Sequence, residues 1–325
     1  MDKLLVTGGR LRRTIFKKLE EWQSADQACV LEIDPVSKKC RLCVEYVSPP
    51  EACPDELPAF VFKSASIRGN TLYTCTSTEV LIYELPEYGL KHYISVPCFN
   101  DLHHVNPTSR GTLLVVVTGL DMVVEIDTTG KILREWSVVD ENIWTRFSRD
   151  TDYRKVPTTK PHHSHPNHAF ELNGEVWVTR LRQKDAICLT NPGTKIEIGV
   201  QRPHDGYLFN GKIYFTTVDG HVVIADQNTF AVERVIDLNA MSGHPGQTLG
   251  WCRGVLPVDE KRLWVGFTRV RPTRFVENVS WIKGGCAERP SHIALYDLER
   301  NICEQEIDLE PYGIGIVFSL LPVPS

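Results

Sequence analysis

The sequence predicts an all-β chain folded as a β-propeller of six blades, closed by N- and C-terminal strands that share one blade. Three observations predict it. Helical periodicity is nearly absent. Short runs rich in Val, Ile, Leu, Tyr and Trp alternate with Gly, Pro, Asn and Asp turns. A pattern of about 40 residues recurs along the chain, the length of a four-stranded blade.

The clearest copies are NHAFELNGEVWVTR from Asn167 and HDGYLFNGKIYFTT from His204, the second continuing through HVVIADQNTFAVERVIDL. Each carries an Asn-Gly pair, Asn173-Gly174 and Asn210-Gly211. Both residues of such a pair take positive φ readily, so each marks a tight hairpin. Looser copies begin at Ile67, His103 and Cys252, the last resuming at Ser291. These units account for Phe60 to Leu309. ACVLEIDPVSKKCRLCVEYV near the N-terminus supplies outer strands, and YGIGIVFSLLPV near the C-terminus supplies an apolar inner strand. Together they make a sixth blade and leave no open sheet edge. A β-sandwich is the alternative, against which the sustained repeat speaks. The whole chain, 1–325, reads as one domain. Loop insertions at about 140–165 and 269–290 are candidate lids, because long loops on a regular scaffold tend to carry function. The best helical stripe is Thr14 to Ser24, with Ile15, Phe16, Leu19 and Trp22 on one face.

Composition narrows the partners. The 36 basic and 41 acidic residues are mixed along the chain and give a net charge of −5, so nucleic acid is not expected. No apolar run approaches the roughly 20 residues that span a bilayer, and Leu4 to Val6 is too short for a secretory core. No membrane partner and a cytoplasmic location are expected. The ten cysteines are scattered and sit mostly in apolar strands, as free thiols would. Cys40 and Cys43 form a CxxC on an alternating strand with no second pair at zinc-ribbon spacing.

Chemistry is expected where the first strand of each blade meets the channel. Aligning the repeats sets Leu102-His103-His104, Pro166-Asn167-His168, Pro203-His204-Asp205 and Trp251-Cys252-Arg253 at one level. Imidazoles suit a divalent Fe, Zn or Mn ion, and three with an open position make a catalytic site. His104, His165, His168 and His204 are the candidate ligands, with His103 as a further possibility. Strict alternation lets only one of His103 and His104, and one of His204 and Asp205, face the channel. Asp205 would ligate or orient an imidazole, and Arg253 would hold an anionic group. Tyr153 and Arg154 would help cover the site. The expected function is a metal-dependent hydrolase, lyase or oxygenase acting on a small, anionic substrate. The same histidines could instead line a metal-free polar channel. The alternative function is a non-catalytic propeller binding a peptide, protein or metabolite on exposed aromatics such as Trp144, Phe147 and Trp281.

The segments RPHDGYLFNGKIYF, GWCRGVLPVDEKRLWVGFTRVRP and IALYDLERNICEQEIDLEPYGIGIVFSLLPVP carry a likeness. Together they resemble an uncharacterised family of bacterial β-propeller proteins over the C-terminal third to half of the chain. That resemblance implies the propeller and points to His204, Asp205 and Arg253. It implies no reaction. Cys252 and the upstream histidine cluster depart from the family pattern.

Overall fold

The computed structural model describes residues 3–13, 19–270 and 289–324. Its strands form six four-stranded antiparallel sheets. Blade 1 holds β4 (Ser66–Arg68), β5 (Thr71–Cys75), β6 (Val80–Glu84) and β7 (Gly89–Ile94). Blade 2 holds β8 (Leu102–Pro107), β9 (Leu113–Val117), β10 (Met122–Ile126) and β11 (Ile132–Ser137). Blade 3 holds β12 (Pro166–Leu172), β13 (Glu175–Arg180), β14 (Asp185–Cys188) and β15 (Lys195–Glu197). Blade 4 holds β16 (Tyr207–Phe209), β17 (Lys212–Thr217), β18 (His221–Asp226) and β19 (Val232–Asp237). Blade 5 holds β20 (Trp251–Pro257), β21 (Arg262–Thr268), β22 (His292–Asp297) and β23 (Ile302–Asp308). The sixth blade sets the C-terminal β24 (Ile316–Pro322) beside β1 (Leu4–Leu11), β2 (Ala25–Asp34) and β3 (Lys39–Tyr46).

The expected six-bladed propeller is the observed fold, closed as the end segments predicted. Both Asn-Gly pairs make two-residue hairpins. Asn173 and Gly174 have φ of 53° and 79°, and Asn210 and Gly211 have 46° and 75°. The paired flanks are Leu172 with Glu175 and Phe209 with Lys212. Of the expected helical stripe, residues 14–18 lie outside the described residues, and Glu21–Gln23 make a single 3-10 turn. The first insertion connects β11 to β12, and the second falls between β21 and β22, with 271–288 outside the described residues. The nine cysteines among the described residues are free.

The core is not one mass but a ring of apolar layers, one between each pair of blades. Phe99, Val115 and Val124 meet Val80 and Ile82 between blades 1 and 2. Val116 and Val178 meet between blades 2 and 3, and Trp177 and Phe215 between blades 3 and 4. Val222 and Phe267 join blades 4 and 5, Leu31, Leu320 and Trp264 join 5 and 6, and Val30, Phe62 and Leu81 join 6 and 1. Each layer depends on both neighbours, so the ring is only as stable as its closing blade. Leu320 is 1% exposed in that blade, whereas Val36 is 89% exposed in a turn. Leu320→Ala is expected to cost about 2–4 kcal/mol in urea unfolding, and Val36→Ala to stay within about 0.5 kcal/mol.

Candidate functional site

The first strands β4, β8, β12, β16, β20 and β24 surround the channel and run in the same direction, so their starts define an upper mouth and their ends a lower one. At a shared level near the upper mouth the ladders of β8, β12, β20 and β24 slip by one residue. In β8, Leu102 pairs with Val117 and His104 with Val116, leaving His103 unpaired. The unpaired residue is Asn167 in β12, Gly254 in β20 and Phe318 in β24. A β-bulge of this kind breaks alternation and re-aims the extra side chain. Consequently both His103 and His104 turn inward, on different partners, contrary to the expectation that only one would.

Asn167 fixes the state of His103. The Asn167 Nδ2 donates to the Pro203 carbonyl at 2.9 Å, so its Oδ1 faces His103 and accepts from Nδ1 at 2.8 Å. The His103 Nε2 lone pair therefore points at Asp101 Oδ1, 3.4 Å away, and that oxygen is 3.3 Å from Lys63 Nζ. Asp101 has a φ of 46°, a conformation a non-glycine residue adopts at a cost, often at functional sites. Burial would raise its pKa, but nearby positive charge, the Lys63 ammonium foremost, outweighs burial and holds the carboxyl well below its ordinary value. Burial pushes His103 down to about 4 against the pull of Asp101, so its imidazole is neutral at pH 7.

Around this relay the upper mouth opens on a cavity of about 80 Å³ whose walls include Lys63, Asn100, Asp101, Lys160, Arg253 and Phe318. Lys63 Nζ lies 4.8 Å and Arg253 Cζ 4.6 Å from the centroid of the Phe318 ring. Arg253 thus lies in the wall of the upper cavity, stacked on Phe318. Below, His165 meets His103 edge-on with centroids 4.8 Å apart, and His204 lies 6.0 Å from His103. His204 is 1% exposed, and neither of its ring nitrogens has a hydrogen-bond partner among the described residues.

One residue that sequence reasoning missed organises this end. Asp121, fully buried, accepts from the backbone N–H groups of His163 at 2.7 Å, Ser164 at 3.0 Å and His165 at 2.8 Å, and from Arg146 at 2.6 Å. Burial would raise its pKa, yet these donors keep it below the ordinary carboxylate value. Its carboxylate holds the His162–His165 loop over the channel, and His162 Nδ1 is 2.8 Å from His165 Nδ1. The loop is thus tied to the scaffold, with His162 buried rather than exposed.

The remaining nominated residues sit elsewhere. His104 and His168 stack at 3.6 Å, deeper in the channel. Both His104 nitrogens are committed: Nδ1 accepts from Ala169 N at 3.3 Å, so Nε2–H donates to Ser66 Oγ at 2.9 Å. That tautomer also disqualifies Ser66 as a nucleophile with His104 as its base, since the base has no lone pair to offer. Burial pushes the His104 pKa down to about 3. Asp205, 4% exposed, accepts from Thr216 Oγ1 and from Gly254 N at 2.9 Å, which makes it a tie between blades 4 and 5. Gly254 has φ 78° and its absent Cβ would stand 3.0 Å from Leu320 N, so no other residue fits that bulge. Tyr153 packs in the layer between blades 1 and 2, and Arg154 pairs with Asp152, so neither covers the site. Trp144 and Phe147 pack against that same layer rather than forming an exposed platform, and Trp281 lies outside the described residues.

The four nominated metal ligands therefore divide between two levels, His165 and His204 above and His104 and His168 below. Among the described residues no group of three or more His, Cys, Asp or Glu side chains is placed to hold a metal ion. Nor is any described helix long and apolar enough to cross a membrane.

Fold and site together define a six-bladed β-propeller with a polar channel. In solved structures it is similar to a protein of unknown function from Bacteroides caccae, at 13% identity and a TM-score of 0.63 over 100% of both chains. It is also similar to virginiamycin B lyase from Staphylococcus aureus, at 14% identity and a TM-score of 0.47, over 75% of this chain and 71% of that one. Likeness at these identities concerns the fold alone. No family model and no curated protein matches the chain.

The neutral imidazoles make stability depend on pH. Burial, the largest influence on each, lowers the pKa of His103, His104, His165, His168 and His204. The unfolded chain takes up protons near pH 6.5 while the folded one resists, so stability is full above pH 6.5 and is lost as pH falls towards the folded values. Each such imidazole contributes up to about 1.4 kcal/mol per pH unit. Unfolding free energies measured from pH 7.5 to 5.0 should fall steeply below 6.5, and His104→Gln should flatten that slope.

Proposed function

We propose that the protein is a small-molecule enzyme whose upper channel mouth binds a compact anionic substrate and moves a proton on it through Asp101 and His103. The observation that carries this reading is a mouth lined by Lys63, Lys160 and Arg253, with Asp101 and Glu56 as its carboxylates and Asp101 backed by an imidazole of fixed tautomer. Lys63, Lys160 and Arg253 line the cavity and would receive the anionic group. A cavity of about 80 Å³ suits a group of a few non-hydrogen atoms, given that a liquid water takes roughly 30 Å³.

The electrostatics favour a proton transfer triggered by binding. In the free protein Lys63 keeps Asp101 a weak base. A bound anion competes for Lys63, weakens that hold and raises the basicity of Asp101 and of His103 behind it. A proton taken from the substrate by Asp101 can then pass to the open Nε2 of His103, while Asn167 keeps the ring oriented. This reading uses no metal, in keeping with the lack, among the described residues, of three or more His, Cys, Asp or Glu side chains placed to hold one.

The test is calorimetric titration with phosphate and a panel of small mono- and dicarboxylates, followed by product analysis with the tightest binder. Lys63→Met and Arg253→Met should each weaken binding about 10- to 100-fold, the loss of one charge-assisted contact. Asp101→Asn should keep binding within about tenfold while abolishing turnover. Stoichiometric metal in the purified protein, lost in His165→Ala and His204→Ala, would overturn the metal-free mechanism. Binding without turnover of any anion would leave a non-catalytic binder.

A further inference from the structure

The larger cavity lies at the other end of the channel. About 330 Å³ opens at the lower mouth, against about 80 Å³ at the upper one. Sites for small organic ligands start near 300 Å³, so only the lower space has the volume for a ring system. Its walls are mainly apolar and aromatic, with Ile67, Phe170, Tyr207, Leu208 and Leu321 among them.

Besides the charged Arg68 and Glu171, the polar side chains of Ser66, Asn106 and His168 interrupt those walls. Asn106 has its Oδ1 engaged by Ser66 Oγ at 3.1 Å, and among the described residues its Nδ2 has no partner. His168 is stacked on His104, and its Nδ1 is buried with no partner among the described residues. The direction of the network is fixed from behind. His104 donates to Ser66, and Ser66 therefore donates to Asn106 Oδ1, which leaves the Asn106 amino group as a donor. The charged residues at this mouth are already engaged and opposite in sign. Arg68 donates to the Thr108 carbonyl, and Glu171 accepts from Ser109 N at 2.6 Å and Ser109 Oγ at 2.7 Å. The two charges in the walls are opposite in sign and leave no net charge, so a charged ligand would lose its hydration and meet a like charge as well as an opposite one.

We infer that the lower mouth is a second binding site, for an uncharged planar heteroaromatic molecule that accepts a hydrogen bond from Asn106. Its apolar faces cover Phe170, Tyr207 and Leu321, and its ring carbonyl or ring nitrogen meets the Asn106 amino group. The site is independent of the acid–base reading of the upper mouth, since no wall residue is shared between the two cavities.

The experiment is isothermal titration of the intact protein with 2-quinolone, a neutral ring system with a carbonyl acceptor, and with 1-naphthoate, its charged counterpart. 2-Quinolone is expected to bind saturably with one site per chain, and 1-naphthoate at least tenfold more weakly. Asn106→Leu should weaken 2-quinolone about tenfold. Leu208 is 36% exposed, so Leu208→Trp is tolerated by the fold and should block the site by filling it. Phosphate or carboxylate binding at the upper mouth should be unchanged in both variants, which separates loss of this site from loss of folding. Absence of 2-quinolone binding, equal affinity for 1-naphthoate, or binding that survives Leu208→Trp would each overturn the assignment.

Discussion

Six sheets arranged around an axis can slide past one another, because apolar layers have no register of their own. Here the register comes from hydroxyl ties between blades at the level of the bulges. Thr7 of blade 6 donates to the Lys63 carbonyl ahead of β4 at 2.9 Å, and Thr118, just after β9, to Pro166 of blade 3 at 2.6 Å. Thr179 of blade 3 donates to the Asp205 carbonyl ahead of β16 at 2.9 Å, and Thr268 of blade 5 to Val317 of blade 6 at 3.1 Å. The step from blade 4 to blade 5 uses the Asp205 carboxylate between Thr216 and Gly254. Each bond lies in the buried interior, where it is directional and expensive to leave unmade. In blades 3 and 6 the accepting carbonyl, of Pro166 or Val317, adjoins a bulge, and the slip in β8, β12 and β24 turns His103, Asn167 and Phe318 inward. Architecture and site are thus products of one backbone device.

That device explains what was legible in the residues and what was not. Asn-Gly turns, alternating strands and the repeat length are local signals, and they gave the blades and the closing arrangement. Aligned repeats singled out His204 and Arg253, and His165 was singled out from the loop just ahead of one such repeat. The expectation that only one of His103 and His104 faces the channel rested on period-two alternation, which fails at a residue the ladder skips. Asp101 and Asn167 went unremarked because each looks like an ordinary turn or strand polar residue beside a more conspicuous histidine. Lys63 and Phe318 were missed because the alignment stopped short of the first and last blades, where VFKSAS and IVFSLLP hold the equivalent level. Asp121 had no signal at all: its role depends on a loop more than forty residues away folding back over it.

The channel sorts its polar groups by how well each is answered. His104 is satisfied at both nitrogens and is part of the scaffold. His103 is satisfied at one nitrogen and leaves the other opposite a carboxylate. His204 makes no hydrogen bond at either nitrogen among the described residues, with Asp205 Oδ1 3.8 Å from its Nδ1. The channel thus completes some of its imidazoles and leaves others open.

The position of β24 has a consequence for how the chain reaches this state during synthesis. Its strand is innermost in the sixth blade, yet every one of its partners in β1 is made before any other blade. Until Ile316 to Pro322 leave the ribosome, the N-terminal sheet waits with an unpaired inner edge, and Thr268 waits for the Val317 carbonyl. Blades 1 to 5 can stack vectorially as they emerge, but the ring shuts only after β24 has followed them. The apolar flanks of the first and last blades are therefore the surfaces a nascent-chain chaperone would meet.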